Sequence, residues 1–215
     1  MDINHFITLR PFLYHLTDRE NFKNLIKNGG VLFSTKELVQ RSSLPDEEKK
    51  EFIIKRRPKH EVLNADGMFI SIRDQRPISI SNLEKCIPKD WTVGDYIKLL
   101  NKWVFFWPTL HRLTSHYTRY SSEKPIIIKI DTSSLFTIND NPKFCRLNSG
   151  ATRSNVAYNG APPPRGYDTF LNVYDYSFSP STVAEVTFAD SCTLPNKVHF
   201  GGKPEGPWKD LTFEL

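Results

Sequence analysis

Three cysteines in 215 residues, Cys86, Cys145 and Cys192, are too few and too scattered for a disulfide framework, and their spacing matches no zinc site. That scarcity points to a reducing compartment, so the cytoplasm is the expected location. No run of about 18 apolar residues is present, which leaves no candidate membrane-spanning helix and no expected membrane partner. The opening residues Met1-Asp2-Ile3-Asn4-His5 lack the basic-then-apolar order of a secretory leader. Internal repeats and low-complexity tracts are missing too. Charge of one sign is in modest excess, +5 with a pI near 9.0, which suits a phosphorylated ligand or a nucleic acid and requires neither. What is there is an ordinary globular composition, 39% hydrophobic and 25% charged, long enough to bury a sizeable core. The Pro/Gly-rich stretches 159–166 and 201–207 do not separate two core-forming halves, so one domain is expected over 1–215.

Helical and extended patterns alternate along the chain. Phe12 to Leu16 reads as a strand, followed by a capping box at Thr17-Asp18-Arg19-Glu20 and a helix with Phe22, Leu25 and Ile26 on one face, stopped at Asn28-Gly29-Gly30. Ser34-Thr35-Lys36-Glu37 opens a second helix in the same way. Pro45 to Arg57 reads as a charged helix with Phe52, Ile53 and Ile54 as its contact stripe, ended by Pro58. Met68 to Arg73 reads as a short strand or turn leading into Asp74-Gln75-Arg76-Pro77. Thr92-Val93-Gly94-Asp95 forms another capping box, ahead of Tyr96, Leu99 and Leu100. Val104 to Trp107 is an apolar strand, and Leu110, Leu113 and Tyr117 mark a helix carrying His111, Arg112, His116 and Arg119. Pro125 to Thr132 is the clearest strand. Residues 139–176 are turn-rich, and an extended tail closes the chain. Helices concentrated in the first half with strands throughout predict an α+β fold.

Glu185 is the most informative residue. In Ser181 to Phe188, Ala184, Val186 and Phe188 alternate to one face of a strand, while Val183, Glu185 and Thr187 take the other. Burying a carboxylate in so apolar a strand is costly without a partner or a task. The plain alternative is a solvated strand glutamate. His15, in Tyr14-His15-Leu16-Thr17, can hydrogen-bond a ribose hydroxyl from a strand end, or be a core histidine bonded to a carbonyl. The aromatic strand Val104-Phe105-Phe106-Trp107 offers flat faces for a nicotinamide or adenine ring, or is simply core. Arg73, Arg76, Arg153 and Arg165 provide forks for a pyrophosphate or a nucleic-acid backbone, or form a solvated basic surface.

Leu13-Tyr14-His15-Leu16-Thr17, with Asn21-Phe22 and the helix stopping at Gly29-Gly30, resembles the opening of DarT-type ADP-ribosyltransferases. Ala184-Glu185-Val186 with Leu194-Pro195 and Val198 is similar to that group's catalytic strand and the proline turn after it, and the aromatic strand with its following helix fits between them. The resemblance extends to a less characterised bacterial relative through Ile72-Arg73-Asp74-Gln75, Asn148-Ser149-Gly150-Ala151-Thr152, Arg165-Gly166 and Thr169-Phe170. It implies a fold of two small, twisted, mostly antiparallel sheets around an NAD cleft, with helices on the N-terminal side. It also implies NAD as substrate, with His15, Leu16 and Thr17 contacting it, Phe106 or Trp107 stacking on nicotinamide, and Glu185 catalytic. An arginine near residue 73 would orient NAD or the acceptor. Arg73, at a strand end, is favoured over Arg76, which precedes Pro77 in a turn, and Trp107 stands where the wider class has a smaller residue. Arg153 and Arg165 would meet the acceptor, a base of DNA or RNA. Toxin or defence-effector activity, with an antitoxin as partner, is the implied setting. The rival expectations are protein-directed ADP-ribosylation, RNA 2′-phosphotransfer and a non-catalytic binding module of the same fold.

Overall fold

The computed structural model of the protein describes residues 1–213; Glu214 and Leu215, the end of the expected 1–215 domain, lie outside the described residues. The fold is mixed α+β, with eight α-helices and four small antiparallel sheets among the described residues. The largest sheet has the order β1-β6-β10-β11, formed by Phe12–Thr17, Ile126–Asp131, Lys197–Gly201 and Lys209–Thr212. A three-stranded sheet places β8 (Glu185–Ala189) between β5 (Trp103–Phe106) and β7 (Lys143–Cys145). Two two-stranded sheets complete the set: β2 (Val31–Phe33) with β9 (Ser191–Thr193), and the hairpin β3 (Glu61–Ala65) with β4 (Met68–Ile72). The implied pair of sheets is thus doubled in number, because these two short ladders form apart from the larger sheets.

The helices are α1 (Ile3–Leu9), α2 (Arg19–Lys27), α3 (Thr35–Gln40), α4 (Asp46–Ile54), α5 (Ile80–Glu84), α6 (Val93–Asn101), α7 (Leu110–Tyr120) and α8 (Thr132–Ile138). Local chemistry sets most of their starts. Thr92 and Asp95 form the expected capping box of α6, and Ser34 caps α3 through the Glu37 N–H. The cap of α2 is Asp18, whose carboxylate accepts from the Asn21 N–H, because β1 continues through Thr17. The fourth helix ends at Ile54, earlier than expected: the Arg57 carbonyl accepts from the Gln75 N–H and the Arg57 N–H donates to the Gln75 side-chain oxygen, and Pro58 disfavours helix at the residue before it. Its stripe is narrower too, since three consecutive residues span about 200° of a helix; Ile53 is buried and Ile54 faces outward. In β6 the expected strand stops one residue early, where Asp131 caps α8.

The main core lies between the two larger sheets, where Phe106, Phe144, Val186 and Phe188 meet Leu13, Ile128 and Ile130. The other face of β5–β8–β7 is covered as well, by Tyr96, Ile97, Leu100 and Phe170 around Trp103 and Cys145. All three cysteines are free and buried. Among the described residues, no helix is long and apolar enough to cross a membrane.

Candidate functional site

The two larger sheets touch at one bridge. Tyr14 donates its N–H to the Trp107 carbonyl at 2.9 Å and accepts from the Trp107 N–H at 2.8 Å. Beyond it β1 and β5 part, and the His15 ring enters the split, with Nδ1 2.9 Å from the Phe105 carbonyl oxygen. Only a donor can face a carbonyl, so Nδ1 carries the proton and Nε2 is left as an acceptor with no partner among the described residues. Burial lowers the imidazole pKa to about 4, and nearby Arg73 pushes the same way, so the ring is neutral at pH 7.

Arg73 follows the end of β4. Its backbone carbonyl accepts from Nε of buried Arg57 at 3.3 Å, and Arg57 in turn binds the Asn101 side-chain oxygen through both terminal nitrogens at 3.1 Å. The Arg73 guanidinium lies 4.3 Å from the centre of the Tyr120 ring. Its Nη1 is sealed from solvent with no hydrogen-bond partner, and burial lowers its pKa. A largely buried guanidinium held by an aromatic face, with one nitrogen making no hydrogen bond, is costly, and a nearby anion would relieve it. Arg76 has a different environment: it is exposed, and its Nη2 lies 2.9 Å from Asp74 Oδ2. Burial raises the Asp74 pKa, but the Arg76 hydrogen bonds and charge, with His60, outweigh it and hold the carboxyl below its usual range. Tyr120 donates to Asp74 Oδ1 at 3.3 Å. His116 of α7, which belongs to none of the sequence motifs, stacks on Trp107 at 4.4 Å, and its pKa is lowered to about 3, first by burial, then by Arg73 and Arg119.

Glu185 lies on the far edge of β5 from His15. It is 4% exposed, which rules out the solvated-glutamate alternative: strands pair with both edges of β8, and its Glu185 face is covered by Tyr96 of α6 and Cys145 of β7. Two strand spacings put the backbones of His15 and Glu185 roughly 10 Å apart across β5. Both carboxylate oxygens accept from the Ser149 N–H at 3.2 Å. Burial pushes the Glu185 pKa up to about 7, against the pull of Ser149, Arg112 and Arg165. The Ser149 hydroxyl beside it is buried without a well-formed hydrogen bond of its own.

The remaining predicted residues divide by burial. Phe106 is fully buried and packs edge-on against Phe188 at 5.7 Å; as a core side chain it has no free face for nicotinamide. Trp107 is half-buried and His116 already covers one of its faces. Leu16 is buried in the cluster of Tyr14, Leu113, Tyr120 and Ile127, and Thr17 is buried opposite Ile126 in the β1–β6 ladder, so neither side chain is open to NAD. Arg153 is exposed. The substrate role expected of Arg165 does not fit its place: it is 5% exposed and its fork is engaged by backbone carbonyls.

Hollows of about 350 Å³, beside Phe52 and Arg57, and about 560 Å³, beside Trp91 and Tyr167, lie away from His15 and Glu185. The second is lined by Lys36, Lys98 and Lys102 but also by Asp90 and Asp95, and Lys36 pairs with Asp190, so it has no strong charge of either sign.

The fold is that of a mixed α+β protein in which the neutral imidazole of His15 lies near Arg73 and His116, while the buried Glu185 carboxyl sits across the aromatic strand from them. The chain belongs to a family of unknown function, DUF7002, whose model matches residues 11–198. No curated protein and no solved structure matches it at a significant level.

Proposed function

We propose that the protein is an NAD-dependent mono-ADP-ribosyltransferase with an ADP-ribosyltransferase-like fold, and that its acceptor is a nucleic-acid base. The observation that carries this reading is the placing of His15 and Glu185 on opposite edges of β5, at the point where β1 splits away. His15 Nε2 accepts a hydrogen bond from a ribose hydroxyl. Arg73, whose guanidinium lies over the Tyr120 ring and whose Nη1 makes no hydrogen bond among the described residues, binds a phosphate of NAD. As the bond from ribose C1′ to nicotinamide breaks, its electron pair leaves with nicotinamide, and an acceptor nitrogen or oxygen attacks C1′. Glu185 holds the ribose and takes the acceptor's proton. A carboxyl titrating near 7 suits that step, since a general base works best with a pKa near the operating pH. The base acceptor rests on the resemblance to DarT-type enzymes and the basic balance of the chain. A cytoplasmic toxin or defence role, answered by an antitoxin, follows from the same resemblance.

Labelled NAD incubated with DNA and RNA oligonucleotides tests the reading. Transfer to an oligonucleotide that disappears in Glu185→Gln supports it; transfer unchanged in that variant removes Glu185 from the chemistry. Label that appears in lysate protein and survives nuclease treatment moves the acceptor to protein. One observation favours a second reading, RNA 2′-phosphotransfer: His15, His116 and Arg73 gather without Glu185, which is closed over by Ser149. Release of 2′-phosphate from RNA by the Glu185→Gln variant, dependent on NAD, would select it.

A further inference from the structure

Two motifs left without a role by the proposed reaction, Asn148-Ser149-Gly150-Ala151-Thr152 and Arg165-Gly166, meet in the fold. The Arg165 guanidinium donates through Nη1 to the Pro163 carbonyl at 2.7 Å, and through Nη2 to the carbonyls of Ala151 and, at 3.5 Å, Asn148. Its own N–H donates to the Cys86 carbonyl at 2.7 Å. Gly166 follows because a Cβ there would lie 2.8 Å from Pro88 Cγ, too close for any other residue without a shift. Tyr96 of α6 donates to the Ser149 carbonyl at 3.0 Å, and Thr152 is tied to Ser79 by a 2.6 Å bond from the Ser79 N–H. The turn between these anchors points one N–H, that of Ser149, at both oxygens of Glu185.

We propose that Arg165 is a positioning residue: its fork clamps the Asn148–Ala151 turn so that the Ser149 N–H holds the Glu185 carboxylate in one orientation. A planar guanidinium serves several carbonyls at fixed angles, whereas an ammonium at the same place does not. The clamp rests on the ADP-ribosyltransferase reading only for what Glu185 does once held. Besides Ser149, the groups facing Glu185 are Arg112 from α7, Tyr96 from α6, Cys145 from β7 and Arg165 itself. Arg165 therefore acts on the carboxylate both through its charge and through the turn, and the test must separate the two.

The Glu185 carboxyl is titrated by carbon-13 NMR in glutamate-labelled protein without NAD, its signal assigned with Glu185→Gln. Arg165→Gln and Arg165→Lys are each expected to move the titration upward by about one pH unit, because losing the Ser149 N–H removes support for the charged form. Wild-type titration in Arg165→Gln overturns the proposal. So does an upward shift in Arg165→Gln that Arg165→Lys fully reverses, since charge alone would then account for it. If the Arg165 variants do not fold, Tyr96→Phe keeps the packing and removes one brace of the same turn. A smaller upward shift is expected there, and no shift overturns the clamp. Because the readout needs no substrate, failure to find transferase activity leaves this result standing on its own.

Discussion

Glu185 destabilises the fold at the pH where it is proposed to work. Its folded pKa of about 7 lies above the ordinary 4.5, so its contribution to stability is fully present below pH 4.5 and is lost as pH rises through 7. Above that, the buried charge costs about 3 kcal/mol. Glu185→Gln is therefore expected to melt at a higher temperature than the parent at pH 8 and at the same temperature near pH 4.5, as thermal scans across pH would show. Arg73 presents the same trade in a cation. Arg73→Met keeps apolar length against Tyr120 while removing a charge with a sealed, unpartnered Nη1. The variant is expected to remain folded and to lose the thermal shift that NAD gives the parent; an unchanged shift would take Arg73 out of the site. Of these residues, His15 and Glu185 were legible in the sequence as polar groups in apolar strands. His116 was not, because its stacking on Trp107 depends on how α7 returns over β5.

Secondary elements place these groups through buried polar contacts. The Asn101 side-chain oxygen accepts from Arg57 and, at 3.3 Å, from Gln75, while its amide donates to the Ile53 carbonyl at 2.7 Å. This joins the end of α4, the end of α6 and the turn that begins at Arg73. Asn101→Leu would leave the Arg57 charge without its main acceptor and is expected to cost about 3 kcal/mol in urea unfolding. Elements with local signals were legible: the Thr92–Asp95 box of α6, the Ser34 cap of α3 and the apolar run of β6 each rest on neighbouring residues. The cap of α2 moved from Thr17 to Asp18 because the pairing of β1 with β6 takes Thr17 into the strand. The three-residue strands β2, β7 and β9 gave no readable alternation, since pairing partners far along the chain, not local pattern, make them strands.

Across the whole molecule, acid acts through two imidazoles. His15 and His116 have folded pKa values of about 4 and about 3, below the ordinary 6.5, so their stabilising contribution is present above pH 6.5 and is lost as pH falls through those values. Glu185 works in the opposite direction between pH 4.5 and 7, one group against two. Net stability is expected to fall below about pH 6.5, and His116→Phe, which keeps a ring on Trp107, is expected to flatten that fall in melts from pH 7 to pH 4. The sequence by itself determined an α+β chain, the starts of several helices and the oddity of one carboxylate in an apolar strand, because propensity, capping and alternation act between near neighbours. Only the tertiary structure decided that Glu185 is covered on its outer face, that Phe106 is core, that Arg73 lies on the Tyr120 ring while Arg76 pairs with Asp74, and that Arg165 grips a turn. Alternation says which residues share a face, and the chain's long-range packing decides what covers that face.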